Sequence, residues 1–343
     1  MPSISKDIAR SKLDKAVEER SRRILERFGQ VATSKVNNPK LLVVLDDVKK
    51  YWNDLRTRSL CRPALTSFSC EAVGGKPEAA EDAGLIFTLA ASGFGIHDDI
   101  LDRSPNKHLR MTILGLHGLD SALLVGDLLI VKAWTMFHEI IRKAPKPARI
   151  ADIVEVYGNL SVEICEAEFM ETMCRRKLDI DLEYYTNVLW KAMAEIEACA
   201  RIGAIMGDGR TNEIEALAEF GRRLGFMSRL ADEIEDCLNL RGDLLHRIEY
   251  ESVPLPLLYA ANFSKESYER IKAIVEKSPN PSDAKELLKL CFETEAFKYI
   301  HNIAKKNERD ATRKLCSLRH SNARNLLLLM LERSYKRISE LCI

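Results

Sequence analysis

Glycine and proline are scarce, at 16 and 11 of 343 residues, and the prolines fall mostly between apolar stretches. That excludes a collagen-like, proline-rich or low-complexity chain. No run of alternating β-branched residues is bounded by hairpin-type turns, so a β-sandwich or barrel is not expected. Charge of one sign is also lacking: 52 basic side chains stand against 51 acidic ones, a formal net charge of +1. A general nucleic-acid binder, or one of anionic membrane surfaces, would carry a basic excess. Long apolar runs are missing too. The longest, Leu326 to Leu331, is far short of the roughly 18 residues that span a bilayer, so no transmembrane segment is expected. The opening "MPSISKDIARSKLDKAVEERSRR" has no apolar core of a secretory signal. Nine cysteines occur, an odd number with no CxxC pair. They are expected to be reduced core thiols of a cytoplasmic protein rather than zinc ligands or disulfides.

What is present is helical periodicity. Hydrophobic residues make up 46% and charged residues 30%, ample for a large core. Helices are expected near 4–28, 40–56, 62–73, 77–102, 119–142, 148–176, 182–206, 212–238, 252–262, 265–277, 282–292, 294–306 and 309–341. Turns come from "NNPK", "VGGKPE", "RSPNKH", "KAPKPA" and "KSPNPSD". There is no repeat of fixed period. The expected architecture is all-α: one domain over 1–343, a bundle of roughly ten or more helices with a charged N-terminal helical arm.

Two acidic clusters break the apolar helices. "IHDDILD" places Asp98 and Asp102 one turn apart on a shared face, with Asp99 adjacent. "ADEIEDC" repeats the spacing with Asp232, Glu233 and Asp236. Acids in apolar surroundings are costly to desolvate unless something neutralises them. Two inward clusters on two helices of one bundle can share hard divalent cations. Oxygen-only ligands at this spacing suit Mg²⁺, which keeps several waters and bridges to phosphate oxygens. Two solvated acidic patches are the alternative. His97, beside the acids, is read as a packed or capping histidine, since Mg²⁺ disfavours imidazole.

"HDDILD", followed about 130 residues later by "DEIED", resembles the two aspartate-rich motifs of the trans-prenyl diphosphate synthases. "RPALTSFSCEAVGGKPEAA" resembles that family's Arg-Pro helix, "LLVGDLLIVKA" its Gly-Asp helix, and "VPLPLLYA" the segment after the second motif; Lys191 falls where the family has a Lys-Thr pair. The resemblance implies an all-α isoprenoid synthase-like fold around a central cavity. It implies that Asp98, Asp99, Asp102, Asp232, Glu233 and Asp236 hold Mg²⁺ on the diphosphate of an allylic prenyl substrate. The catalytic set it implies is Asp98, Asp99, Asp102 and Lys191. Arg62, Lys107, Arg110 and Lys191 would contact diphosphate. Gly93 and Phe94, about one turn before Asp98, would line the chamber for the prenyl tail, although small residues such as Gly93 also serve close helix packing.

Departures from the family pattern cluster on one substrate. The Lys and Arg ahead of Arg62 are Ser59 and Leu60; an expected His is Ala91; a paired Arg becomes Lys107 and His108; a Phe-Gln becomes Ser228 and Arg229; a Lys becomes Ser252. Several of the replaced groups bind isopentenyl diphosphate in the family, so that ligand is expected to bind weakly or through a partner subunit, with Arg58 or Arg229 as the residues placed to compensate. Three functions follow as expectations. The first is a prenyltransferase in isoprenoid chain elongation, as a homodimer or a heteromer with a complete synthase. The second is a class I terpene synthase-like enzyme that ionises one prenyl diphosphate. The third is a non-catalytic subunit that tunes a complete synthase.

Overall fold

A computed structural model of the chain describes residues 2–54, 61–107, 109–277 and 279–342. The described residues are overwhelmingly helical. The elements are α1 (Pro2–Thr33), α2 (Pro39–Asp54), α3 (Cys61–Val73), α4 (Pro77–Leu101), β1 (Asn106–Lys107), β2 (Arg110–Met111), α5 (Ile113–Thr135), α6 (Phe137–Lys143), α7 (Ala148–Met173) and α8 (Leu182–Lys191). The second half adds α9 (Ala194–Met206), α10 (Thr211–Cys237), α11 (Leu244–Tyr250), α12 (Leu255–Phe263), α13 (Lys265–Val275), α14 (Pro281–Glu293), α15 (Ala296–Cys316) and α16 (Asn322–Leu341).

The boundaries follow local chemistry. Pro77 and Pro281 open α4 and α14, where a missing N–H costs nothing. Asp181, Ser264 and Ser321 cap α8, α13 and α16 by accepting from Tyr184, Ser267 and Arg324 N–H groups at 2.9, 3.1 and 3.0 Å. The expected break at 307–308 does not occur: Asn307 does not cap a new helix but donates its side-chain amide to the Ile303 carbonyl at 3.0 Å and accepts from Arg223 at 2.9 Å, and Ser321 caps the last helix instead. The expected helix 182–206 is two helices with a turn at Ala192 and Met193, and the expected helix 252–262 is preceded by the separate α11. Of the cysteines, Cys70, Cys174, Cys199, Cys237 and Cys291 are buried free thiols, while Cys165 and Cys316 are free and exposed.

Helix α4 packs among α1, α3, α5 and α9, and α10 packs among α9, α15 and α16. The α4–α5 crossing depends on glycine. A Cβ on Gly93 would lie 2.6 Å from the Gly126 carbonyl oxygen and 2.6 Å from the Ile130 side chain. Only two bare backbones can approach so closely. Helix α5 bends at Gly118, whose φ of 78° is open to glycine at no steric cost. The outer face of α5 carries Leu116, Leu119, Leu123, Leu124, Val131 and Trp134, all exposed; Val162 and Phe169 of α7 are exposed as well. The helical stretch Ile113–Lys143 is long and apolar enough to cross a membrane by length and composition, which the shorter wholly apolar runs did not reveal.

Candidate active site

The last turns of α4 and α10 point into one cavity of about 940 Å³. Asp98, Asp99 and Asp102 enter from α4, Asp232 and Asp236 from α10. Both clusters stand at helix C-termini, where the macrodipole is negative, so these carboxylates demand positive charge. Apolar side chains, among them Leu13, Val17, Val48, Leu65, Ile196 and Leu224, line the same cavity.

The positive charge comes from residues that local pattern does not pair with the acids. The β1–β2 hairpin, with Lys107 opposite Arg110, folds Lys107 back over α4. Its Nζ lies 2.7 Å from Asp98 Oδ2, 3.3 Å from Asp102 Oδ2 and 3.5 Å from Asp99 Oδ1. Thr112 fastens the base of the hairpin by donating to the Ser104 carbonyl at 2.7 Å. Arg175 donates to the Leu101 carbonyl at 2.6 Å and lies 3.7 Å from Asp102. His246 of α11 contacts both Ser104 Oγ and the Asp102 carbonyl at 3.0 Å. Burial and then the Asp98 charge push the Asp102 carboxyl up to about 8, against the pull of Lys107. Burial acts on Asp98 in the same sense, but Lys107 outweighs it and holds that carboxyl below its ordinary value. The acid pair therefore welcomes a cation.

The second cluster is clamped by two arginines. Arg337 of α16 donates to Asp232 at 2.7 Å and to Glu235 at 2.6 Å. Arg247 of α11, 4% exposed, binds Asp236 and lies 2.5 Å from Glu233. It also donates to the Ser252 carbonyl and the Tyr185 hydroxyl, each at 3.1 Å. Arg229 lines the cavity and donates to Glu171 at 2.6 Å. Ser252 is buried, its Oγ 2.8 Å from the Tyr185 hydroxyl and 3.0 Å from Glu171.

Several expected site residues lie elsewhere. Glu233 is fully buried, off the cavity wall, and accepts from Arg247 and from the Leu255 N–H at 2.7 Å; it joins α10 to α12 rather than facing a ligand. Lys191 ends α8 and reaches Glu166 of α7 at 2.6 Å instead of the cavity; Ala192 and Met193, in the turn that follows, face inward in its place. Gly93 sits in the α4–α5 contact, and Phe94 packs against the core. A helix turns about 100° per residue, so the α4 positions that face the cavity are Ala91, Ser92, Gly95 and Ile96. Arg110 is exposed and off the cavity wall. Arg62 does line the cavity, 3.0 Å from Glu195 of α9. Burial raises the Glu195 carboxyl, with Arg62 opposing. His97 packs on α5, 3.4 Å from Asp127. Arg58, Ser59, Leu60 and His108 lie outside the described residues.

Among the described residues no three acids or other ligating side chains form a ready-made metal cage. The residues nevertheless fit a divalent cation. The donors are all carboxylate oxygens facing an open cavity, and the Lys107 ammonium stands in for a cation against three of them. A hard ion that takes its remaining ligands from water and phosphate suits such a set.

The polyprenyl synthetase family model matches residues 55–291, more than half of the chain. The short chain isoprenyl diphosphate synthase of Methanothermobacter thermautotrophicus is 28% identical over 78% of this chain and 83% of its own length. The solved geranylgeranyl pyrophosphate synthetase of Pyrococcus horikoshii superposes with a TM-score of 0.83 at 24% identity, covering 95% of this chain and 98% of that one. A polyprenyl synthase of Caulobacter crescentus, solved with calcium and isoprenyl diphosphate, superposes with a TM-score of 0.80 at 16% identity over 94% and 97% of the two chains. The chain belongs to the polyprenyl synthetase family: an all-helical isoprenoid synthase fold and a prenyltransferase of the prenyl diphosphate synthase type.

Proposed function

We propose that Asp98, Asp99, Asp102, Asp232 and Asp236 hold Mg²⁺ on the diphosphate of an allylic prenyl substrate, and that the chain takes part in isoprenoid chain elongation. The observation that carries this reading is the meeting of both acidic clusters at one cavity with an apolar wall. Mg²⁺ bound there would supply Lewis-acid neutralisation of the diphosphate, a poor leaving group until its charge is drawn off. Lys107 and Arg229 add positive charge beside the acids, and Lys107 is free to exchange a carboxylate for a phosphate oxygen of similar reach. The aliphatic wall would receive the prenyl tail and keep water from the allylic cation left when the diphosphate departs. Ala91 and Gly95, small residues on the cavity face of α4, leave room there.

The exposed apolar face of α5 supports a dimer, in which a second copy or a complete synthase covers it. The terpene synthase-like alternative keeps one specific support: the cation at Arg62 is committed to Glu195, as expected of a site that needs no second diphosphate. The test is incubation with Mg²⁺, allylic diphosphates and labelled isopentenyl diphosphate, alone and with a complete synthase. Labelled, elongated prenyl diphosphate in either mixture supports elongation. Diphosphate release with an unlabelled hydrocarbon product favours the alternative, and no turnover in either mixture contradicts both.

A further inference from the structure

Arg62 opens α3 as the one retained cation of the basic set expected ahead of Pro63. Its Nε lies 3.0 Å from Glu195 Oε2. Glu195, in the first turn of α9, is 9% exposed and lines the cavity with Leu65, Met193 and Ile196. Its second oxygen, Oε1, is buried with no hydrogen-bond partner. A buried acceptor left unsatisfied costs about 1–3 kcal/mol. An ion pair that served only to fasten α3 to α9 gains nothing from leaving that oxygen bare.

From this arrangement we infer that Glu195 is a specificity-determining residue: its carboxylate holds Arg62 on the cavity wall, so this part of the site binds a second diphosphate poorly. The replaced basic residues withdraw attraction; Glu195 cancels what Arg62 still offers and sets a competing carboxylate against it. The pair is neutral as a whole, and a diphosphate reaching for the guanidinium must displace a carboxylate already 3.0 Å away. Discrimination commonly rests on such a repulsive element as well as on attractive ones. Unlike scattered losses of charge, this one is reversible at a single position.

The inference rests on the proposed docking of the first diphosphate at Asp98, Asp99 and Asp102. The experiment is calorimetry with isopentenyl diphosphate as titrant, on protein already saturated with Mg²⁺ and a non-reactive allylic diphosphate analogue. Glu195→Gln keeps the side-chain shape and removes the charge that faces Arg62; Glu195→Leu serves if the glutamine variant does not fold. Either variant is expected to bind isopentenyl diphosphate about tenfold more tightly or better, the gain of one charge-assisted contact. The gain should vanish when Arg62→Gln is added. Affinity for the allylic analogue should stay the same. Normal binding of that analogue with no gain for isopentenyl diphosphate overturns the inference and leaves Glu195 a structural partner. Failure of the wild-type protein to bind the analogue at all overturns the underlying reading, and the inference with it.

Discussion

Replacing Lys107 by methionine keeps the length of the side chain and removes its charge. In the protein as described, one ammonium serves three carboxylates, with Asp98 nearest at 2.7 Å. A charge-assisted hydrogen bond is worth roughly 1.5–3 kcal/mol. Asp98 is 37% exposed at its side chain, so solvent screening lowers that to about 1–2 kcal/mol. Unfolding entropy of about 2.1 cal/mol/K per residue gives roughly 0.7 kcal/mol/K for the chain, so in chelator Tm should fall by only about 1–3 °C. The larger effect is on metal. An ammonium held by 1–2 kcal/mol competes with a divalent cation for the same oxygens. Its removal should tighten Mg²⁺ binding about five- to thirtyfold at about 1.4 kcal/mol per tenfold. Binding of an allylic diphosphate analogue in the presence of Mg²⁺ should move the other way, because Lys107 then contacts phosphate. The assay is calorimetry of Lys107→Met with MgCl₂ alone, and then with the analogue at saturating Mg²⁺. Unchanged or weaker Mg²⁺ binding by a folded variant would refute the idea that Lys107 occupies a cation position.

Other expectations concern the frame around the site. Arg247→Met leaves fully buried Glu233 without its nearest cation, and chemical denaturation should record a loss of about 3–5 kcal/mol. Asp82, 2% exposed, is paired with Arg27 at 2.7 Å and with Lys143. Burial works against the Asp82 carboxylate, but the two cations outweigh it and hold its pKa below the ordinary value. Its contribution is therefore present above the unfolded-state carboxylate pKa and is lost as pH falls through the lower folded value. Asp82→Asn should cost about 1–3 kcal/mol at neutral pH, and wild type and variant should converge in melts below the carboxylate range. Gly93→Ala drives a methyl toward the Gly126 carbonyl and should lower stability by roughly 1–3 kcal/mol through overpacking. The same melts would test this, with unchanged Tm as the contrary result.

The helical class was legible because period and punctuation agree over long stretches. Asp98, Asp99, Asp102, Asp232 and Asp236 were legible as cavity acids because i, i+4 spacing inside apolar helices leaves few other places for them. Glu233 shares that motif but, one residue on from Asp232, turns about 100° away into the core, which a motif cannot convey. Lys191 enters the site by its place in the family pattern; periodicity over 182–206 does not mark the turn that brings Ala192 and Met193 to the cavity wall just after it. Gly93 and Phe94 were misplaced by the same angular arithmetic. The clamps were out of reach of local reading: Arg337 stands 105 residues after Asp232 and Arg247 lies on a short separate helix. Lys107 depends on a two-residue strand pair, too brief for any periodic signal.

The central claim is that the two acidic clusters act together on one ligand. Calorimetry with a non-reactive allylic diphosphate analogue, with and without Mg²⁺, tests it on three proteins: wild type, Asp98→Ala/Asp102→Ala, and Asp232→Ala. Wild type should bind only when Mg²⁺ is present. Each variant should fold and lose most of that binding, although the two sets of substitutions sit on helices far apart in the chain. Metal-independent binding, or undiminished affinity in either variant, would contradict it.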